Sequence, residues 1–410
     1  MTGAPLAFLR RFWRYDAPML GQIRDGSFLT AARLRFCAFA LLAGYAIALL
    51  YLGFSAQGWV DNSGRPLGSD FSSFYAAGKL ALATPYDQAA LYYLQQSLFG
   101  AGTPYYAFAY PPIFLLLLMP LAMLPYGIAL IVWQGGSFAF YLWAMLRLRT
   151  RRASNIPAGA WLLGAVAFPA CFLNLLHGQT GFLAAGLFAL ALAELEARPW
   201  LAGFAIGLLS FKPQLGPLVP FALMAGGRWK AFAGAAITVA ALLAISISVF
   251  GMESWRAFFS ATNFARIAIL DQNAVGYEKL VSIFAALRLW HAPLVLAYGV
   301  QVAVAIAVIA ATALLWRGPS SHKFAALLFG TLLVTPFALD YDMMILAPAL
   351  GLMLAEGKAR GFAPWTASFL ALIALAPILA RGAGGLYLPI AAIAILGGFF
   401  IAFCPQKPAH

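Results

Sequence analysis

Charge is scarce in this chain, and negative charge scarcest. Only 10% of the 410 residues are Asp, Glu, Lys or Arg, while 63% are hydrophobic and the mean hydropathy is +0.85. No water-soluble core could absorb so much apolar surface, and apolar runs of roughly 20 residues, enough to cross a bilayer, recur from end to end. A soluble protein is excluded, and the fold class expected is an all-α polytopic membrane protein. Cysteine and histidine are also sparse. Cys37, Cys171 and Cys404 stand in or beside apolar segments at separations that make no framework, and the four histidines show no ligand spacing such as HxxxH. Neither disulfides nor a structural metal are expected.

What is present is organised along the membrane normal. The run "RLRFCAFALLAGYAIALLYLGFS", 33–55, follows the charged lead "FLRRFWRY" and has no small-residue cleavage site. It reads as a retained span behind a cytoplasmic amphipathic arm, residues 1–32, lying on the membrane surface. Eleven more apolar segments follow, the first at 126–146 and the last at 386–403, and a shorter run at 111–124 is read as re-entrant. Threaded from a cytoplasmic N-terminus, this gives one transmembrane domain, 33–403, with twelve spans and a cytoplasmic tail at 404–410. Segments 200–211 and 214–226 are short for spans, so they must be broken, tilted or shielded by neighbours.

The formal charge of +13 invites a nucleic-acid reading, and its distribution argues against one. On this threading 18 of the 26 basic residues fall on the cytoplasmic side with 5 acids, among them the Arg cluster "RLRTRR" at 147–152. The remaining eight basic and eight acidic residues cancel on the outer side. The whole excess therefore follows the positive-inside rule.

Two outer loops result, 56–110 and 251–292. In the first, Phe71, Phe74, Tyr75, Gly78 and Leu82 recur at helical spacing, and Asp87 opens a second helix that Gly100 closes. Both are expected to lie on the outer leaflet. Pro111, Pro112, Pro120 and Pro125 then chop the following apolar run, which predicts a cavity-lining segment or a kinked helix hairpin.

The remaining polar groups gather on the outer side. "LNLLHGQTGFL" carries Asn174, His177, Gln179 and Thr180; "LLSFKPQLG" carries Lys212 and Gln214; "FALDYDMMIL" carries Asp340 and Asp342. Charges beside hydrocarbon usually face a protein interior or a wet cavity. Each also has a plainer explanation. His177 can close a helix, Lys212 can snorkel to headgroups, one of Asp340 and Asp342 can solvate a loop, and Asp70 can cap its helix.

The order "SDFSSFYAAGKLAL", "FAYPPIFLLLLMP", "HGQTGFLAAG", "LLSFKPQLG" and "TPFALDYDMMIL" resembles glycosyltransferase family 87 over about residues 40–356. The resemblance implies a GT-C fold, a polyprenyl-phosphate sugar as donor with mannose the commonest sugar, and a lipid or glycan acceptor. It also implies transfer on the outer face of the plasma (inner) membrane, with inversion at the anomeric carbon. It implies no cofactor beyond the lipid-linked donor and no metal. By position in the first outer loop it implies Asp70 as general base. Lys212, His177, Tyr110 and Arg266 are candidates for the donor phosphate and lipid, the latter seated in a groove bounded by the Tyr-Pro-Pro segment. Gln179, Tyr75, Asp340 and Asp342 are candidates for the sugar and acceptor. A secondary transporter or flippase remains the alternative, because Pro-interrupted segments also mark transporters; so does a non-catalytic lipid-binding scaffold.

The threading is directly testable. In a chain cleared of its own cysteines, single cysteines placed within 60–100 or 255–285 should react with an impermeant reagent from outside. Positions within 147–157 should not, and labelling there would overturn the threading.

Overall fold

The computed structural model describes residues 19–403 other than 321, 385 and 387, so much of the N-terminal arm and the 404–410 tail lie outside the described residues. A chain with this little charge must close its backbone hydrogen bonds internally, and among the described residues it does so in helices, with no strand.

Helix α1 (Ala31–Ser55) starts at Thr30, whose hydroxyl accepts from the Arg33 N–H, and buries only Tyr45. Such a helix, apolar all round and unburied by protein, is built to face hydrocarbon. The segment expected to form the first outer loop, 56–110, holds α2 (Ser69–Lys79) and α3 (Gln88–Phe99), the latter capped by Asp87, whose carboxylate accepts from the Ala90 N–H at 2.8 Å. The expectation that α2 lies on the leaflet is corrected here: nine of its eleven residues are buried. Its other face, which carries Ser72, Ser73 and Ala76, is small enough for neighbouring helices to close over.

Helix α4 (Pro112–Leu121) has ten residues, roughly 15 Å, about half a hydrocarbon core. It packs against α2, and Phe114 is filled in by the rings of Phe74, Tyr110, Trp133 and Phe211. The Tyr-Pro-Pro stretch is thus packed with aromatic rings, which goes against the cavity-lining alternative and leaves the kinked helix hairpin. Helix α5 (Tyr126–Arg152) follows, then α6 (Ala158–Ala167) and α7 (Pro169–His177), which meet at a 54° bend. Pro169 has no N–H to continue α6, and Phe168 before it is extended.

Helix α8 (Gly181–Glu194) buries every residue but Leu183, which makes it the axis of the bundle. Helix α9 (Pro199–Leu208) ends in a 3₁₀ turn, and α10 (Val219–Ala225) resumes after Lys212-Pro213. Helix α11 (Trp229–Arg266) crosses α9 at close range. A Cβ at Gly203 would lie 2.4 Å from the Ala231 carbonyl oxygen, so only glycine allows this approach. Gly251, at φ 76°, breaks α11 where its apolar run ends. Then come α12 (Ile283–Leu289), α13 (Leu294–Arg317), α14 (Lys323–Val334), α15 (Leu346–Arg360), α16 (Thr366–Gly384) and α17 (Ile390–Phe403).

Helices form at all twelve expected segments, but length and apolarity support four spans, α1, α5, α11 with its continuation to Asp271, and α13, or five if the bent α6 and α7 count as one. Among the shorter helices, α8 and α14 are almost wholly enclosed. The two segments noted as short for spans, α9 and α10, are separated by a break at 209–218 and leave Trp200, Phe204 and Phe221 exposed.

Helix α8 also separates two charged ends. At its C-terminus buried Glu194 accepts from Arg147 at 2.5 Å, with Arg151 and Arg198 within 4.0 Å, and Glu196 pairs with Arg228. Most of the candidate site residues collect at its N-terminus, roughly 20 Å away.

Candidate active site

Asp70 stands in the first turn of α2. The residue capping that helix is Gly68, at φ 68° and with no side-chain bond, so Asp70 is not the cap. Its Oδ2 instead accepts from Gln179 Nε2 at 2.8 Å. Gly178, at φ 67°, turns the chain between His177 and Gln179, and a Cβ there would lie 2.6 Å from that of Phe71. This close approach sets α2 beside the 177–180 turn. Trp133 Nε1 donates to the Gly178 carbonyl at 2.8 Å and holds the turn from α5.

From Gln179 the contacts run inward. Its Oε1 accepts from the Tyr110 hydroxyl at 3.1 Å and from the Thr180 N–H at 3.0 Å. Lys212 Nζ donates to Thr180 Oγ1 at 3.1 Å and to Asp342 Oδ1 at 2.5 Å. Pro213 explains why an ammonium sits here, since it stops α9 and leaves the preceding lysine out of the helix, pointing into the bundle. Lys212 is 1% exposed and Asp342 not at all. The rings of Tyr341 and Tyr110 lie 4.9 and 5.7 Å from the ammonium. The other Asp342 oxygen accepts from the Leu339 N–H, and Asn174 Nδ2 donates to the Tyr341 carbonyl, which fastens the 340–345 turn.

A second ion pair lies beside the first. Asp340, fully buried, accepts from Arg381 Nε at 2.5 Å. Arg381 Nη2 is 3.2 Å from His177 Nε2, and His177 Nδ1 is 2.8 Å from Ser69 Oγ, one residue from Asp70. Two sets of contacts thus lie side by side, Asp70, Gln179, Tyr110, Thr180, Lys212 and Asp342 in one and Asp340, Arg381, His177 and Ser69 in the other, and they meet where Ser69 precedes Asp70 in the chain. Asp340 and Asp342 each have a cation; among the described residues none pairs with Asp70.

Two candidates stand apart. The Tyr75 hydroxyl is bonded to the Leu124 carbonyl at 2.8 Å, and Arg266 pairs with Asp271 and Tyr298 in the 251–292 segment. Two residues escaped the sequence reading. Arg381 looks like an ordinary charge at the end of a span. Tyr106 lies in the loop before α4, its backbone clamped at both N–H and C=O by Gln95. Burial raises the Tyr106 phenol above its usual range, and the Asp70 carboxylate adds to the rise. It therefore remains a neutral hydroxyl near Asp70. The aromatic run "PYYAFAY" offered no means of singling it out.

The model of glycosyltransferase family 87 matches residues 108–339, more than half of the chain. The chain belongs to glycosyltransferase family 87. The matched stretch of this family 87 chain contains Tyr110, His177, Gln179 and Lys212; Asp70 and Arg381 lie outside it. No curated protein and no solved structure matches the chain. With the family and its apolar helices, the protein is a membrane glycosyltransferase.

The buried pair yields a test. Lys212→Met leaves Asp342 charged with no partner, which should cost about 3–5 kcal/mol. Replacing both, as Lys212→Met with Asp342→Leu, should recover much of that. Detergent-solubilised thermal unfolding measures both, and a single variant as stable as the parent would contradict the arrangement.

Proposed function

We propose that the protein transfers a sugar, most simply mannose, from a polyprenyl-phosphate donor to a lipid or glycan acceptor at the outer face of the plasma membrane, with inversion and within a twelve-span topology. One observation carries this reading: of three carboxylates in the cluster, Asp70 alone pairs with no cation among the described residues. A carboxylate held in an ion pair is a poor proton acceptor because protonation must break the pair. Asp70, half-buried and oriented only by Gln179, keeps an oxygen for a substrate hydroxyl.

The chemistry then has assigned parts. The acceptor hydroxyl attacks the anomeric carbon as its proton passes to Asp70, and the bond from that carbon to the phosphate oxygen breaks, its electron pair leaving with the lipid phosphate. Negative charge grows on the phosphate, and the His177 and Arg381 edge of the cluster is the partner on hand. Lys212 enters this reading as the buried countercharge that fixes Thr180 and Asp342. Tyr110 and Gln179 orient Asp70, while Tyr106 supplies a hydroxyl for sugar or acceptor. Tyr75 and Arg266 act at a distance, through helix packing and the second outer segment. No divalent ion enters these steps.

Asp70→Asn preserves the contact with Gln179, because an amide oxygen also accepts, but removes the base. Sugar transfer at saturating donor should fall 10²–10⁴-fold while elution stays monodisperse. Near-parental turnover would remove Asp70 from the role.

A further inference from the structure

An apolar groove of about 770 Å³ runs between α1, α7 and α16. Gly44 and Ala40 line one wall, Phe172 and Leu176 another, and Leu375 a third, with Arg381 at one end as its charged residue. The groove follows α1 from Phe36 to Ala48, roughly 18 Å at 1.5 Å per residue. Its wall is fixed: the Tyr45 hydroxyl donates to the Ala167 carbonyl at the α6 and α7 bend, and the Tyr45 and Phe172 rings stack at 4.9 Å. Gly44 leaves open space where a side chain would stand, with nothing within 4 Å of an added Cβ.

Arg381 links this groove to the catalytic cluster. Its Nε holds Asp340 and its Nη2 meets His177, which leaves Nη1 with no hydrogen bond among the described residues; a third of the side chain is exposed. A ligand that filled the groove and met Nη1 would be a long apolar chain ending in an anion. We infer that the groove seats the prenyl chain of the donor, with its phosphate against Arg381 and its sugar directed past His177 toward Asp70. This rests on the reading of the donor as a polyprenyl-phosphate sugar. Charge complementarity calls for an anionic head, and continuity with the cluster through Arg381 and His177 favours a prenyl phosphate that carries a sugar over a bilayer phospholipid, which has no sugar to direct toward Asp70.

The test uses the full chain in nanodiscs and a polyprenyl phosphate carrying a diazirine on its chain, with labelled residues mapped by mass spectrometry. Labelling should fall on α1, α7 and α16, and Gly44→Trp, which fills the groove without touching the Arg381 pair, should reduce it more than tenfold. Ile306→Trp, on the exposed side of α13, should leave it unchanged. Arg381→Lys should weaken labelling while the protein stays folded, because a cation still faces Asp340. Labelling elsewhere, indifference to Gly44→Trp, or equal competition by excess phosphatidylglycerol would overturn the inference. Sugar transfer is assayed on the same samples and separates the two claims. Transfer without groove labelling retires the groove alone, and groove labelling without transfer retires the proposed sugar transfer from this donor while the groove stands.

Discussion

Lys212 and Asp342 face each other at 2.5 Å with almost no solvent at either, and the candidate site is hung on that pair. Neither charge is tolerable alone in an apolar bundle, so the broken end of α9 and the 340–345 turn are obliged to meet. Once they meet, the ammonium has a further hydrogen to give, and Thr180 takes it. Thr180 follows Gln179, and Gln179 holds Asp70. Asp70, the proposed base, is thereby positioned by a buried ion pair three contacts away, and pairs with no cation among the described residues.

That division of charge fits the chemistry proposed. A transferase acting on a lipid phosphate has to accept a proton on one side of the anomeric carbon and receive negative charge on the other. Here the unpaired acid and the Arg381 and His177 edge lie on either side of Ser69. The neutralised acids, Asp340 and Asp342, keep the two cations where they are without competing for the proton.

Much of this was legible in the residues. The apolar runs marked the helices, Lys212-Pro213 marked the break, Asp87 marked its cap, and the threading of those runs grouped His177, Lys212 and the "DYD" acids with Asp70 on one side. What one-dimensional spacing withheld was partnership. Nothing in "FALDYDMMIL" says that one acid meets Lys212 and the other Arg381, because those contacts close over separations of 130 and 41 residues. Likewise α2 has an amphipathic pattern, yet it is buried: its small polar face is covered by neighbours that no local pattern reveals. The span count shows the same limit, since a 14-residue helix such as α8 is stable in the bundle only because others enclose it.

The most direct measurement is an experimental structure in nanodiscs with a non-cleavable polyprenyl-phosphonate sugar bound. The account predicts the anomeric carbon facing Asp70, the phosphonate against Arg381 and His177, and Lys212 still joined to Asp342. A phosphonate bound to Lys212, or Asp342 turned toward the anomeric carbon, would contradict it.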